Sequence, residues 1–344
     1  MLISEFDYDL PAELIAQKPL EKREASRMMV VNRQAENFAD ESFYNFPRFL
    51  QKGDVVVLNN TKVFPARLFG TSETGARIEV FLIREIENQT WETLARPARR
   101  LKTGKKIVFG EKLSARVLEK TEEGRVIVKF ESGQEDFEEV LEAIGQTPLP
   151  PYIRRESGTS DADKDRYQTV FAKQRGAIAA PTAGLHFTPK ILDEIRNLGA
   201  IIAEITLHVG YGTFEPVRVS ALTEHQVMPE RCEISAESAT ILNEAKAEKR
   251  RIIAVGTTTT RALESSIDSN KRIASGSRLA DLTITPGYNF NVINGLLTNF
   301  HLPQSSLLVL VSSFAGYDLT IRAYRHAVEA GYRFYSYGDC MLII

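Results

Sequence analysis

The sequence predicts an α/β protein in which a larger domain, with a mostly parallel or mixed sheet, carries a small inserted β-barrel domain. Short apolar runs alternate with amphipathic helical patterns over residues 177–337, as is typical of α/β layers. The stretch from Pro65 to the run 148–151 (PLPP) instead contains strand-like segments separated by glycines. We therefore assign residues 66–147 to the barrel, and residues 1–65 with 148–344 to a discontinuous α/β domain.

The inserted segment contains two clear period-two patterns and one helix. Apolar and polar residues alternate over 78–83 and again over 125–130, which predicts strands. Residues 137–144 place apolar side chains at i, i+3, i+4 and i+7, and Gly145 follows at the C-cap position. A barrel closed by one helix fits this order.

The remaining residues predict strands and helices in alternation. The expected strands are 177–180, 200–207, 251–255 and 332–337, and the expected helices are 188–198, 236–250, one beginning after 256–260 and one between Asp318 and Gly331. Ligands of open α/β sheets lie at loops that follow the carboxyl ends of strands. This rule indicates the loops 181–188, 208–216, 256–261 and 338–340.

Composition limits the class of protein. A net charge of -2 over 344 residues gives no global sign of a nucleic-acid binder, so any such surface must be local. No apolar run is long enough for a membrane helix, and the acidic N-terminus does not resemble a secretion signal. Cys232 and Cys340 are too few and too far apart for a disulfide framework. We therefore expect a cytoplasmic protein.

Three of the five histidines lie in glycine- or proline-rich loops. They are His186 in 180–188 (APTAGLHFT), His208 in 208–216 (HVGYGTFEP) and His301 in 298–306 (TNFHLPQSS). A fourth loop, 335–340 (YSYGDC), contributes Asp339. A single histidine in such a loop is more often a hydrogen-bonded structural residue than a catalyst, but three together favour a catalytic site.

The segment 256–261 (GTTTTR) follows an expected strand and opens a helix. Free backbone N–H groups and hydroxyls at such a position suit a carboxylate or a phosphate. We therefore single out Gly256, Thr257, Thr258 and Arg261 as ligand-binding candidates. The alternative is a threonine-rich N-cap without a ligand.

Neither metal chemistry nor serine hydrolysis is indicated. The sequence has no His-Glu-x-x-His, Cys-x-x-Cys or clustered aspartate motif, so we expect no metal site. It also lacks Gly-x-Ser-x-Gly.

A basic cluster lies in the predicted barrel. The segment 96–106 (RPARRLKTGKK) carries Arg96, Arg99, Arg100, Lys102, Lys105 and Lys106, without an acidic residue. Such a segment suits contact with a phosphate backbone, and a solvated loop is the alternative. A weaker cluster of Lys18, Lys22, Arg23 and Arg27 is diluted by two glutamates.

Specific motifs recur in a fixed order along the whole chain. They are 6–11 (FDYDLP), 14–19 (LIAQKP), 59–67 (NNTKVFPAR), 148–152 (PLPPY), 180–187 (APTAGLHF), 206–210 (TLHVG), 255–258 (VGTT), 298–303 (TNFHLP) and 336–339 (SYGD). In this order and spacing the sequence resembles the S-adenosylmethionine:tRNA ribosyltransferase-isomerase family of queuosine biosynthesis. One position departs from the family pattern: in 225–230 (HQVMPE), Met228 stands where a second histidine is common, while Glu230 is retained.

The resemblance implies a reaction and its partners. The family transfers and isomerises the ribosyl group of S-adenosylmethionine onto 7-aminomethyl-7-deazaguanine at the tRNA wobble position. The products are epoxyqueuosine in tRNA, adenine and methionine. The resemblance also implies a monomer with an inserted barrel, S-adenosylmethionine as co-substrate and no metal.

This chemistry suggests roles for the loop residues. Deprotonation beside the sulfonium requires a base, for which we favour His186 and His208, with His301 as a further candidate. Adenine departure suits an acid with a raised pKa, such as Asp339. Aromatic faces stabilise a sulfonium. The expected co-substrate contacts beyond 256–261 are Gly210, Tyr211 and Phe187, with Phe300 and Tyr337 as further aromatic candidates.

Two other classes are weighed against this one. An RNA methyltransferase would open with a glycine-rich loop after its first strand, whereas 54–60 (DVVVLNN) has none. A non-catalytic tRNA-binding protein needs the basic cluster but has no use for four loops bearing histidine or glycine.

Overall fold

The computed structural model describes residues 1–122, 124–155, 158–214, 217 and 219–344, without the side chains of Arg100, Thr213 and Phe214. The strands are β1 (Arg27–Asn32), β2 (Asn37–Ser42), β3 (Val55–Asn59), β4 (Thr61–Val63), β5 (Arg67–Ser72), β6 (Arg77–Glu87), β7 (Thr90–Arg96), β8 (Lys106–Val108), β9 (Ser114–Lys120), β10 (Val126–Glu131), β11 (Gln174–Ala177), β12 (Ile201–Leu207), β13 (Glu230–Ile234), β14 (Ile252–Val255), β15 (Gly276–Ala280), β16 (Gly295–Asn299) and β17 (Cys340–Ile343). The α-helices are α1 (Phe137–Ile144), α2 (Asp161–Arg166), α3 (Pro189–Asn197), α4 (Ala236–Ala247), α5 (Thr257–Glu264), α6 (Ser306–Ala315) and α7 (Tyr317–Glu329).

The large sheet is mixed and has nine strands in the order β15-β13-β12-β3-β14-β16-β17-β1-β2. Strands β12, β3, β14 and β16 are mutually parallel, and β17 is parallel to β1. Strand β17 runs antiparallel to β16. A separate two-stranded pair joins β4 to β11. The predicted fold class, α/β with a mixed sheet and a barrel, is confirmed.

Helices cover both faces of the sheet, and the central strands show why. In β3 every residue is buried. Val55 and Val57 join one core with α4 to α7, whereas Val56 and Leu58 join the core on the other face with α3. A strand buried on both faces reads as a continuous apolar run because successive side chains point to opposite faces.

The barrel is closed in the order β10-β7-β6-β5-β8-β9. The side chains Leu82, Val117 and Val128 fill its interior, and α1 packs Leu141 against the same core. Asp136 caps α1 by accepting a hydrogen bond from the Glu139 amide. The predicted strands and helix of this segment are confirmed, while the domain limits at 66 and 147 stay a prediction.

Most expected elements of the α/β part are confirmed, and two strands are wrong. Strand β11 ends at Ala177, so 178–180 form irregular backbone instead of a strand. The last strand is β17, not 332–337. In 332–337, the buried rings of Tyr332 and Phe334 pack under the loop against Phe300, and Tyr335 has φ of 74°. That left-handed backbone interrupts an extended run, so the aromatic alternation did not signify a strand.

No single helix among the described residues is long and apolar enough to cross a bilayer, although α6 and α7, bent by 118°, meet the length and composition criteria when taken as a pair.

Candidate active site

The carboxyl edge of the parallel strands gathers the loops that carry histidines. The loops after β3, β12, β14 and β16 leave the sheet at this edge. Because β17 runs antiparallel to β16, its first residue, Cys340, pairs with Asn299, the last residue of β16. The loop 335–339 therefore reaches the same edge at the start of a strand, whereas the sequence suggested that it follows one.

A cleft opens at this edge, with about 600 Å³ of empty space that includes its solvent-filled mouth. It is lined by parts of the loops 179–183, 256–258, 298–301 and 335–336, with Tyr152 from the segment after the barrel. Four regions distant in sequence thus meet around one cavity. We call it the cleft.

The segment 256–261 forms one wall of the cleft. Gly256 has φ of 95° and is followed by α5, and Thr257 and Thr258 both line the cavity. The next two hydroxyls turn inward: Thr259 Oγ1 donates to the Val255 carbonyl, and Thr260 Oγ1 to that of Gly256. Of the threonine run, only the first two residues are thus available to a ligand.

Arg261 is engaged elsewhere. Its Nη1 lies 2.6 Å from Glu230 Oε2, and its other nitrogens donate to the carbonyls of Met228, Ala280 and Leu282. Both side chains of the ion pair are more than nine-tenths buried. The arginine predicted to bind the ligand therefore completes a buried ion pair beside a second cavity, which Met228 also lines. Gly210 joins this group because its amide donates to Glu230 Oε1.

His301 lines the cleft and is neutral. Burial lowers its pKa to about 3. Its Nε2 lies 2.9 Å from Thr298 Oγ1. Its main chain is anchored to two tyrosines, since Tyr8 donates to the His301 carbonyl and Tyr324 lies 3.2 Å from its amide.

His186 lies in an adjoining pocket of about 290 Å³, which we call the His186 pocket. Its Nδ1 is 2.7 Å from Ser26 Oγ, and its Nε2 is 3.3 Å from Nδ2 of Asn299, a residue that also lines the cleft. The same Nδ2 donates to the Tyr335 carbonyl, which fixes the orientation of the amide. Nε2 then accepts and the proton resides on Nδ1. Burial lowers the pKa of His186 to about 4, so the ring is a neutral base.

His208 is half-buried at the end of β12 and lines neither the cleft nor the His186 pocket. Its Nδ1 lies 2.8 Å from Thr61 Oγ1, and burial lowers its pKa. The backbone of Gly176 approaches the ring so closely that a Cβ there would lie 2.7 Å from it. His208 thus packs beside the β4–β11 pair.

Asp339 links two backbone segments at the site. One carboxylate oxygen accepts from the amide of Arg27 at the start of β1, and the other from the amide of Arg333. Burial raises the pKa of this carboxyl group, and the two hydrogen bonds partly oppose that rise. Both oxygens face the protein backbone, so Asp339 orders the loop 333–339.

The aromatic candidates separate into different places. Phe300 lines the cleft, and Tyr337 lines the His186 pocket. Phe187 lies in the core beneath the sheet against Phe43 and Phe46. Tyr211 packs against the barrel residue Phe81, with ring centroids 6.0 Å apart.

Three cleft tyrosines, Tyr152, Tyr167 and Tyr335, were not chosen from the sequence, although Tyr152 lies in the motif 148–152 and Tyr335 in the loop 335–340. The rings of Tyr152 and Tyr335 meet at 3.8 Å between centroids, with an interplanar angle of 80°. The Tyr152 hydroxyl lies 2.5 Å from Ser336 Oγ. Asn299 and Ser26 were also missed. No pattern distinguishes such partners, because only the fold brings them to a histidine.

The basic segment 96–106 lies on the barrel surface. The side chains of Arg96, Arg99, Lys102 and Lys105 are exposed, and that of Lys106 is half-buried in β8. Lys105 pairs with Glu73 at 2.9 Å, which reduces the local positive charge. The side chain of Arg100 lies outside the described part of the chain.

Among the described residues, no group of three or more His, Cys, Asp or Glu side chains is arranged to hold a metal ion. The two cysteines are buried and unbridged.

Known proteins resemble this chain over nearly its whole length. The family model "Queuosine biosynthesis protein" matches residues 3–343. The chain is 48% identical to the S-adenosylmethionine:tRNA ribosyltransferase-isomerase of Desulforamulus reducens and 49% identical to that of Moorella thermoacetica, each over 100% of both chains. A crystal structure of S-adenosylmethionine tRNA ribosyltransferase from Thermotoga maritima aligns with a TM-score of 0.56 and 36% identity, covering 99% of this chain and 100% of that one. The chain therefore belongs to the queuosine biosynthesis protein family.

Proposed function

We propose that the protein is an S-adenosylmethionine:tRNA ribosyltransferase-isomerase. It transfers and isomerises the ribosyl group of S-adenosylmethionine onto 7-aminomethyl-7-deazaguanine at the wobble position of tRNA, and releases adenine and methionine. The observation that carries the proposal is near 48% identity to enzymes of that name over the entire chain. The site supports it, because neutral His301 and aromatic residues line the cleft and neutral His186 lies in the adjoining pocket.

In this proposal the cleft holds S-adenosylmethionine. The rings of Tyr152 and Tyr335 offer aromatic faces to the sulfonium, and each such contact contributes about 0.5–2 kcal/mol. Thr257 and Thr258 offer hydroxyls and amides to the methionine carboxylate at the start of α5. Arg261 contributes indirectly, because its ion pair with Glu230 fixes the neighbouring loop.

The base is assigned to His186. The carbon between ribose and sulfonium loses a proton, and a neutral imidazole that accepts at Nε2 can take it. Asn299 lies between this nitrogen and the cleft, so the amide must yield its place as the substrates bind. His301 already lines the cleft, where it can take the proton of the incoming aminomethyl group. Asp339 acts as a positioning residue through the loop 333–339.

The proposal extends to partners and setting. The barrel segment 96–106 contacts the tRNA backbone, which its exposed cations suit. The enzyme acts as a metal-free monomer in the cytoplasm, where two buried free thiols remain reduced.

The test is adenine release, measured by chromatography after incubation with S-adenosylmethionine and tRNA that carries the aminomethyl-deazaguanine. We expect free adenine and methionine with that tRNA, and none with tRNA that carries guanine at the same position. Formation of S-adenosylhomocysteine would instead indicate methyl transfer. Binding of the tRNA without turnover would indicate a non-catalytic tRNA-binding protein.

A further inference from the structure

The His186 pocket carries a concentration of positive charge that the proposed chemistry does not use. Arg23 and Arg166 both line it, although the first lies in a 3-10 helix near the N-terminus and the second ends α2. The exposed Lys18 and Lys22 lie in the segment that provides Pro19, Leu20 and Arg23 to the lining. Glu21 and Glu24 belong to the same segment and offset the charge of its lysines. This pocket is therefore distinguished by the charges of the arginines that line it, not by the net charge of the segment.

The two guanidinium groups are held in place by a reciprocal set of hydrogen bonds. Arg23 donates to the carbonyls of Leu185, at 3.1 Å, and Asp165, at 2.9 Å. Arg166 donates to the carbonyls of Leu20, at 2.6 Å, and Glu21, at 3.2 Å. Each arginine thus donates to a backbone carbonyl close in sequence to the other arginine. Neutral carbonyls fix the position of both groups without cancelling their charge.

Among the described residues, Arg23 and Arg166 donate hydrogen bonds to carbonyls and not to carboxylates. Asp163 is engaged by Arg155, which binds it through Nε and Nη2. Arg166 lowers the pKa of Arg23, in addition to the larger effect of burial, while the Asp165 carboxylate partly opposes both. Two like charges are therefore kept close together at a cost that a bound anion would remove.

Two residues that line the pocket each have a buried donor with no acceptor among the described residues. The donors are Arg166 Nε and the Tyr337 hydroxyl. A buried donor without a partner costs about 1–3 kcal/mol, so such groups call for an explanation. Tyr337 lines the pocket, and the charges of Arg23 and Arg166 both act on its hydroxyl. The unfilled donors and the uncancelled charges thus share one location.

We infer that the His186 pocket binds a backbone phosphate of the tRNA strand, next to the nucleotide that is modified. This inference rests on the proposed function. A phosphodiester presents two non-bridging oxygens, and guanidinium groups are preferred partners for phosphate. The location fits, because Asn299 separates this pocket from the cleft and contacts His186 on one side. A phosphate held here fixes the strand where its base enters the cleft.

A coupled substitution of protein and RNA tests the inference. The probe is an anticodon stem-loop RNA that carries the aminomethyl-deazaguanine, with single methylphosphonate linkages, which are uncharged, placed in turn through the loop. Fluorescence anisotropy measures its binding to the wild-type chain, to Arg23→Gln and to Tyr337→Phe. Arg322→Gln is the matched control, because this exposed arginine also donates to a backbone carbonyl, that of Glu36 in the turn between β1 and β2, and lines neither the His186 pocket nor the cleft.

We expect one linkage whose neutralisation weakens wild-type binding about tenfold and leaves Arg23→Gln unaffected. The slope of log affinity against log salt should fall by about 0.7 in that variant, the value for one phosphate contact to a single strand. Tyr337→Phe should weaken RNA binding several-fold at an unchanged melting temperature, because its hydroxyl has no acceptor among the described residues to lose. The control should match wild type.

Three results would overturn the inference. Both variants could bind the RNA with wild-type affinity and slope. They could weaken binding of S-adenosylmethionine but not of RNA, in which case the anion is the methionine carboxylate. Every linkage could also lower affinity equally in wild type and Arg23→Gln. Absence of adenine release by the wild-type enzyme would instead contradict the proposed function, so the two failures are distinguishable.

Discussion

The cleft and the His186 pocket lie side by side at one sheet edge, and they differ in electrostatic character. The cleft is lined by aromatic rings and hydroxyl groups, whereas the His186 pocket is lined by two arginines. Each contains a histidine kept neutral by burial. The first environment suits a ligand with a positive sulfur, and the second suits an anion. Adjacent sites of opposite preference can hold a sulfonium and an RNA phosphate side by side while the reacting base enters the cleft.

The largest effect is expected where the two compartments meet, at His186. Replacement His186→Ala should lower kcat by about 10²–10⁴-fold, the usual contribution of a general base. His208→Ala should lower it much less, because His208 lines neither compartment. Single-turnover adenine release at saturating substrates measures both. Equal losses of kcat in the two variants would make His208 as good a candidate for the base as His186.

A large loss of stability is expected when Arg261 is replaced. Its charge is paired with a carboxylate, in contrast to the charge of Arg23. Arg261→Leu removes the guanidinium group that lies 2.6 Å from the buried Glu230 carboxylate and should lower the free energy of unfolding by about 3–5 kcal/mol. The double replacement of Arg261 and Glu230 by leucine should recover much of that loss. Chemical denaturation followed by circular dichroism provides the measurement. Wild-type stability in the single variant would show that the pair is not structural.

The neutrality of both histidines predicts a dependence of stability on pH. The pKa is about 4 for His186 and about 3 for His301 in the folded chain, against 6.5 when unperturbed. Between pH 6.5 and about 4 the unfolded chain binds protons that the folded chain does not, so stability falls as the pH falls. Each histidine should remove on the order of 2 kcal/mol by about pH 4.5.

Carboxylates also titrate in this pH range, so the informative quantity is the difference between wild type and His301→Gln. The variant should have a flatter melting-temperature profile below pH 6.5. Parallel profiles would mean that His301 takes up a proton in the folded chain as readily as in the unfolded chain.

A smaller effect is expected on ligand affinity, and it tests the proposed preference of the cleft for a sulfonium. Tyr152→Leu should weaken binding of S-adenosylmethionine by about 0.5–2 kcal/mol, the range for one cation–π contact. It should change binding of S-adenosylhomocysteine, whose sulfur is uncharged, far less. Tyr152→Phe keeps the ring and serves as the matched control in calorimetric titrations. Equal losses for both ligands would assign Tyr152 to general packing.

The smallest effect is expected at the barrel segment 96–106, whose residues line neither the cleft nor the His186 pocket. The charge reversals Arg99→Glu and Lys102→Glu together should weaken tRNA binding a few-fold and reduce the salt slope by roughly 0.7 for each lost strand contact. Lys120→Glu, at an exposed barrel position outside 96–106, is the control. An unchanged slope in the double variant would indicate a solvated loop and leave the His186 pocket as the principal proposed phosphate contact.

The sequence by itself determined the fold class and most of the elements. Period-two alternation predicted β6 and β10, and helical spacing predicted α1, because these patterns follow from local geometry and burial. The same reasoning failed at 332–337, where a loop buries alternate aromatic rings and forms an isolated β-bridge from Phe334 to Ile15 instead of a strand. Patterns of burial identify which side chains face the core, but not which element places them there.

The tertiary structure alone decided the partners of the site residues. The loops were identifiable as candidates from their histidines and glycines, yet Asn299 beside His186, Glu230 beneath Arg261 and Arg166 opposite Arg23 could not be paired from the sequence. Arg261 and Arg23 are indistinguishable as residue types, and their surroundings differ completely. Whether the charge of an arginine is cancelled depends on groups distant in the chain: the carboxylate that pairs with Arg261 is 31 positions away, and the carbonyls that hold Arg23 are 142 and 162 positions away. Local physics therefore predicts elements, whereas electrostatic function emerges only from their assembly.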